Sequence, residues 1–239
     1  MTRLADALAR RILVLDGAMG TMIQAAGLGA DDFGGERYEG CNEHLNLTRP
    51  DVIRGIHAAY LDAGADVVST NTFGCAPYVL AEYGLAERAH ELCRAAAVLA
   101  REAAGDRLVV GAMGPSTRSI SVTRNVTFDE VAAAYEIQAA ALLAGGVDAL
   151  LLETAQDTLN LKAAALGVRR AQSAARRLDV PLMVSATIEP MGTMLAGQGV
   201  EALYVSLQHL GLFSIGLNCA TGPEFMTDHL RSLAAIATC

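Results

Sequence analysis

The chain of 239 residues has no excess of positive charge, no adjacent pair of cysteines and no long uncharged apolar run. Acidic residues outnumber basic ones by 26 to 18, a formal net charge of −8. A nucleic-acid binder needs a basic footprint, so that partner class is excluded. The five cysteines stand apart, as Cys41, Cys75, Cys93, Cys219 and Cys239. An odd, scattered set is not a disulfide framework and implies a reducing, cytoplasmic setting. The nearest thing to a membrane helix is "AAALLAGGVDALLLETA", which Asp148 interrupts short of the ~20 apolar residues a span requires. The N-terminal "MTRLADALARRILVLDG" has too short an apolar run for a signal peptide. Lysine is nearly missing: Lys162 is the only one among 18 basic residues. With the heavy use of alanine, that skew reflects a GC-rich genome rather than a function.

What the chain does have is apolar residues, 52% of the total, enough for a large core. They fall into six short runs: "ILVLD" (12–16), "DVVSTN" (66–71), "LVVGAM" (108–113), "ALLLE" (149–153), "LMVSAT" (182–187) and "SIGLN" (214–218). None alternates apolar with polar, which marks strands covered on both faces, as in a parallel sheet. Helical patterns lie between them. In "LTRPDVIRGIHAAYLDAGAD" the expected N-cap is Thr48 and Pro50 sits in the first turn. Val52, Ile53, Ile56, Ala59, Tyr60 and Ala63 line one face, and Gly64 closes the helix. In "VTFDEVAAAYEIQAAALLAGG", Thr127 and Glu130 have capping-box spacing, Val131, Tyr135 and Leu142 mark the apolar face, and Gly145 ends it.

Alternating strands and helices indicate an α/β fold, either a doubly wound sheet or a (β/α)8 barrel. A doubly wound sheet usually carries G-x-G-x-x-G after its first strand, and "DGAMGT" lacks that spacing. Asp16, Asn71, Glu153, Thr187, Glu189 and Cys219 all fall at or just past strand C-terminal ends. In a barrel those ends converge on one mouth, where catalytic groups belong. The barrel is therefore favoured, as a single domain over 1–239. About six of eight β/α units are present, because the sixth strand ends near residue 218 and only one helix follows it.

Each candidate has a plain alternative. Asp16 is either a carboxylate at the mouth, suited to an ammonium group, or a strand-ending turn residue. Ser69, Thr70, Asn71 and Thr72 are either pocket lining or satisfied strand-end hydroxyls and amide. Glu153 directly follows four apolar residues, so it needs a partner: a substrate ammonium, or Arg118 or Arg124 in a salt bridge. "ATIEPMGTMLAGQ" either covers the site or merely connects. "CNEH" (41–44) is read as a solvated loop and Cys93 as a core thiol. Cys75 lies in the loop after the second run, near the expected mouth, and is not favoured as a ligand. Cys219 alone is ambiguous between buried structure and ligand.

Six segments in fixed order carry a resemblance: "LDGAMGTMIQ", "RPDVIRGIHAAYLDAGADVVSTNTFG", "GAMGPSTRS", "LLLETAQDTLNLKAA", "ATIEPMGTMLAGQ" and "GLNCATGP". Together they closely resemble the homocysteine-binding module of cobalamin-dependent methionine synthases, in the homocysteine S-methyltransferase family. The resemblance covers essentially the whole chain. It implies a (β/α)8 barrel with zinc at its mouth on three cysteine thiolates, of which Cys219 matches one. The other two form an adjacent pair after the eighth strand, which this sequence lacks, so the chain is expected to be C-terminally truncated by two β/α units. Asp16 and Glu153 match positions that hold the homocysteine amino group, and Gly17 with nearby loop N–H groups is a candidate for its carboxylate. Asn71, Thr72 and Asn218 match positions that shape the pocket. The donor implied is methylcobalamin on a separate domain, with a folate-binding barrel as a further partner. The alternatives are a stand-alone methyltransferase using S-methylmethionine or betaine, or an inactive fragment that does not bind zinc.

Overall fold

The computed structural model describes residues 2–239. Its centre is a parallel sheet of five strands: β1 (Val67–Ser69), β2 (Leu108–Met113), β3 (Ala149–Ala155), β4 (Leu182–Ala186) and β5 (Ser214–Leu217). Their order across the sheet is their order in the chain. Segment 12–16, expected as a strand, forms only a parallel bridge between Leu15 and Val67. Backbone bonds from Asp66 to Val14 (2.8 Å) and from Asp16 to Val67 (2.9 Å) flank that bridge. Ile12 is 88% exposed and Val14 56%, so this edge has little apolar contact to straighten it into a full strand. The sheet is an open portion of a barrel, edged by segment 12–16 and by β5.

Strand side chains sort by parity, as the two-residue repeat of a strand requires. Val67, Leu108, Val110, Ala149 and Leu151 share one apolar cluster, with Leu4 from helix α1 (Arg3–Leu8). Val68, Val109, Leu150, Leu152, Leu182 and Val184 join the larger cluster on the other face. That second face is covered by the long helices α6 (Ala89–Ala104), α7 (Phe128–Ala144) and α8 (Thr158–Ala174), with α9 (Val200–Leu207) beside them. The chain's small residues let these layers approach closely. A Cβ on Gly167 of α8 would stand 2.1 Å from the Ala132 carbonyl of α7. Helix α1 closes the end where strands begin. Arg3 there donates to Asp148 (3.0 Å) and to the Asp106 carbonyl, both just before strands β3 and β2.

The remaining helices are α2 (Met19–Ala25), α3 (Leu45–Thr48), α4 (Pro50–Asp62), α5 (Pro77–Leu80) and α10 (Pro223–Ile236). The capping box of α7 is present, with Thr127 Oγ1 accepting from Glu130 N–H and Glu130 returning to the Thr127 N–H. Helix α4 departs from expectation at its start and on its face. Arg49, not Thr48, is its N-cap; Thr48 ends α3 and donates back to the His44 carbonyl. Ala59 and Ala63 are exposed, while His57 and Leu61 are buried with Ile53 and Ile56. The buried face is set by contact with α6 and β1, which a one-helix pattern does not encode.

A candidate active site at the strand ends

Asp16 follows the Leu15 bridge and is held by β1. Its carboxylate accepts from the Ser69 N–H at 2.9 Å and from the Ser69 hydroxyl at 2.8 Å. Burial pushes its carboxyl up to about 6, and the two Ser69 bonds offset only part of that rise. Gly17 follows beneath a tyrosine. The Tyr60 hydroxyl of α4 donates to the Ala18 carbonyl at 3.1 Å, and a Cβ at Gly17 would lie 2.9 Å from the ring edge.

Glu153 stands on β3 with the parity of Ala149 and Leu151, so it faces inward above them. Among the described residues it makes no ion pair and no hydrogen bond. Neither expected arginine reaches it: Arg118 lies over the Tyr78 ring, 5.6 Å from its centroid, and Arg124 forms no ion pair with any described residue. Burial pushes Glu153 up to about 7, and the negative charge of Asp16 adds to the rise.

The next residue breaks the strand. Between the pairs Leu152–Val184 and Ala155–Ala186, β3 uses one residue more than β4, a β-bulge. Thr154 takes φ +56°, a left-handed conformation that a β-branched residue rarely adopts. The bulge turns the Thr154 hydroxyl inward, against its strand parity, to accept from Asn218 Nδ2 at 2.8 Å.

Asn218, just past β5, is bonded at both ends of its carboxamide. Its oxygen accepts from Thr154 N–H (3.2 Å) and from the Ser185 hydroxyl (2.6 Å). Its Nδ2 also donates to Cys219 Sγ at 3.0 Å. Cys219 has φ +62° and its side chain is exposed at the mouth. Thr187, buried at the end of β4, donates to the Asn218 carbonyl at 3.3 Å.

Asn71 and Thr72 are buried under the same rim, at 4% and 0% exposure. Thr72 Oγ1 donates to the Ala112 carbonyl (2.5 Å) and pairs with Thr70 Oγ1 (2.6 Å). Asn71 Nδ2 donates to the Asn42 carbonyl (2.8 Å) and to Asn46 Oδ1 (3.1 Å). Both side chains are therefore taken up by neighbouring protein groups beneath the strand ends. The "CNEH" segment is not the solvated loop its composition suggests. Cys41, Glu43 and His44 are buried, and Glu43 accepts from the Gly74 N–H at 2.6 Å. Burial raises the Glu43 carboxyl above its ordinary range. The Glu43 carboxylate and the Asn42 carbonyl are satisfied by residues 71–74, and His44 Nδ1 pairs with the Phe33 carbonyl at 2.7 Å, partnerships that no local spacing reveals. Cys75 and Cys93 are core thiols, both at 0% exposure, and burial drives Cys75 well above an ordinary thiol.

Among the described residues no group of three or more His, Cys, Asp or Glu side chains is placed to hold a metal ion. A protein zinc site takes three or four such ligands, so Cys219 by itself does not fit one.

The site has relatives. Two curated methionine synthases, from Mycobacterium tuberculosis and Mycobacterium leprae, are 46% and 47% identical over 240 residues. Each match covers 98% of this chain, which spans 20% of the relative's length. Among solved structures, the homocysteine methyltransferase MmuM from Escherichia coli in its apo form aligns with a TM-score of 0.71 at 23% identity, covering 95% of this chain and 78% of that one. Its oxidised form aligns at 0.60 and 20% identity, over 92% and 95%. At that identity the likeness speaks for the barrel fold alone. The family model described as homocysteine S-methyltransferase matches residues 13–239, nearly the whole sequence, and the chain belongs to that family.

Proposed function

We propose that this chain is the homocysteine-binding part of a methionine synthase, in which a methyl group passes from methylcobalamin to the homocysteine sulfur. The observation that carries the reading is the pair Asp16 and Glu153. Two partly buried carboxylates face one mouth, and among the described residues neither meets a cationic side chain. A group that supplies positive charge there would relieve both, and the α-ammonium of homocysteine is such a group. The amino acid would lie with its ammonium between Asp16 and Glu153 and its carboxylate toward the Gly17 loop N–H groups. Its thiol would then point toward Cys219, over a rim shaped by Asn71, Thr72 and Asn218. Orientation is the contribution of these residues, since a held nucleophile reacts as though highly concentrated.

Cys219 would supply one thiolate to a zinc site completed by residues other than those described. Zinc, when bound, would keep the substrate sulfur deprotonated. Cobalamin and folate domains are the partners this reading requires. The fivefold greater length of the mycobacterial relatives favours it over a stand-alone enzyme using S-methylmethionine or betaine.

Calorimetric titration tests the central claim. Homocysteine is expected to bind, and 4-mercaptobutanoate, which lacks the amino group, is expected to bind at least about tenfold more weakly, the loss of a charge-assisted contact. Equal binding of the two would remove the ammonium from the argument. No homocysteine binding at all would overturn the reading for this chain.

A further inference from the structure

The Asn218 carboxamide is fixed at one end so that the other must address a sulfur. Its oxygen end receives a backbone donor, Thr154 N–H, which cannot reverse its role, and the Ser185 hydroxyl. A flipped amide would set N–H against N–H at Thr154. The Nδ2 end is thereby directed at Thr154 Oγ1 and at Cys219 Sγ. Thr154 serves twice, donating from its backbone and accepting on its side chain. With its oxygen accepting from Asn218, the Thr154 hydroxyl proton is free to turn toward Cys219 Sγ, 4.0 Å away.

This arrangement is held against a conformational cost. Residues at positive φ carry of order 1–3 kcal/mol of strain when they are not glycine. Thr154, Cys219 and Ala220, at +56°, +62° and +53°, gather at one point of the mouth. The bulge at residues 153–154 lets two consecutive residues address the mouth, where a regular strand would present only Glu153. Glycine would relieve the backbone at 154 but would remove the hydroxyl.

We propose that Thr154 and Ser185 are positioning residues for the Cys219 sulfur, acting through Asn218. The backbone N–H and the hydroxyl of Thr154, with the Ser185 hydroxyl, lock the amide at both ends, and the amide holds the thiol in one place with a hydrogen-bond donor aimed at it. This placement does not depend on what the sulfur binds. Its value to catalysis rests on the function proposed above, and the two fail separately.

The test compares two exposed thiols in one molecule. Cys219 and Cys239 are both exposed, and only Cys219 has the network, while Cys41, Cys75 and Cys93 are buried. Iodoacetamide labelling is followed peptide by peptide by mass spectrometry at one fixed pH. In the wild-type chain the Cys219 rate is expected to differ from that of Cys239. Thr154→Val and Ser185→Ala should each move the Cys219 rate toward that of Cys239 by about threefold or more, the equivalent of one modest hydrogen bond. Thr154→Ser, which keeps the hydroxyl, should retain the wild-type rate. The three buried cysteines report folding, and their continued protection shows that a variant is intact. Identical wild-type rates for the two thiols, or an intact Thr154→Val variant with an unchanged Cys219 rate, would overturn the proposal. Homocysteine titration of the same variants is read independently. Failure of the wild type to bind would count against the function, while the labelling result would stand.

Discussion

Asn46 and Asn71 are bonded to each other in both directions. Asn46 Nδ2 donates to the Asn71 carbonyl at 2.9 Å, and Asn71 Nδ2 donates to Asn46 Oδ1 at 3.1 Å. Both residues are buried, so each removed partner leaves an unsatisfied group behind. Asn46→Ala should therefore cost about 1–3 kcal/mol in urea denaturation. It should also loosen residues 71–74, read as faster amide exchange at Gly74. A cost below the range of ordinary surface substitutions would mean that water replaces the pair.

The Asp16–Glu153 pair opposes folding at neutral pH. In the folded chain both carboxyls keep protons, to about 6 and about 7, that the unfolded chain releases near 3.8 and 4.5. The stability they allow is fully present below those unfolded values and is lost as pH rises through the folded ones. Glu153→Gln should thus stabilise the chain at pH 8, by on the order of 2 kcal/mol, with the gain fading by pH 4. The same variant should bind homocysteine at least about tenfold more weakly at pH 8. Paired denaturation and titration curves at both pH values check the two halves together. Stabilisation without loss of binding would separate Glu153 from the substrate.

His57 acts with the opposite sign. It is fully buried in α4, with no partner for either ring nitrogen among the described residues, and burial lowers it from 6.5 to about 4. The unfolded chain takes up a proton below pH 6.5 that the folded chain refuses until about 4, so stability falls across that window on acidification. His57→Leu should remove this acid-side loss. It should also raise stability at pH 7 by about 1–3 kcal/mol, by replacing two unsatisfied nitrogens with apolar atoms. Thermal melts at pH 4.5 and 7 would show the difference between variant and wild type growing toward acid.

Gly17 is required by Tyr60 rather than by its backbone angles. The ring and hydroxyl of Tyr60 lie 2.9 Å from where a Cβ would be. Gly17→Ala should push the ring aside, break its bond to Ala18 and cost about 1–3 kcal/mol, the usual range for overpacking. Adding Tyr60→Ala should recover part of that loss, because neighbours sharing one clash are not additive. A double-mutant cycle by urea denaturation measures the coupling, and a value near zero would remove Tyr60 as the cause.

The sheet was legible because its strands are apolar on both faces, most completely in β2, which is buried at every residue. "LVVGAM" coincides with β2, and four other runs overlap β1, β3, β4 and β5 closely. Segment 12–16 was less legible because its apolar residues describe a strand whose outer neighbour is absent from the described sheet. Asp16, Glu153 and Cys219 could be placed at strand ends from sequence, since a polar residue closing an apolar run marks where a strand emerges. The residues around them could not. The bulge at Thr154 exists only as a register against β4, and the amide of Asn218 is oriented by a serine 33 positions away. Asn46 of α3 bonds Asn71 beside Asn42 and Glu43, which lie in a segment that composition marks as ordinary and solvated. Its burial depends on residues 71–74, which lie far off in sequence.

The sequential order of the five strands bears on how the chain is made. Each strand from β2 onward pairs with the one synthesised before it, and none must be inserted between two already formed. The nascent polypeptide can lay down the sheet in the direction in which it leaves the ribosome, each finished unit serving as a template for the next. The side of the sheet bearing Asp16 is then committed first and the loop bearing Cys219 last. The two sides of the candidate site are brought together only when β5 has docked.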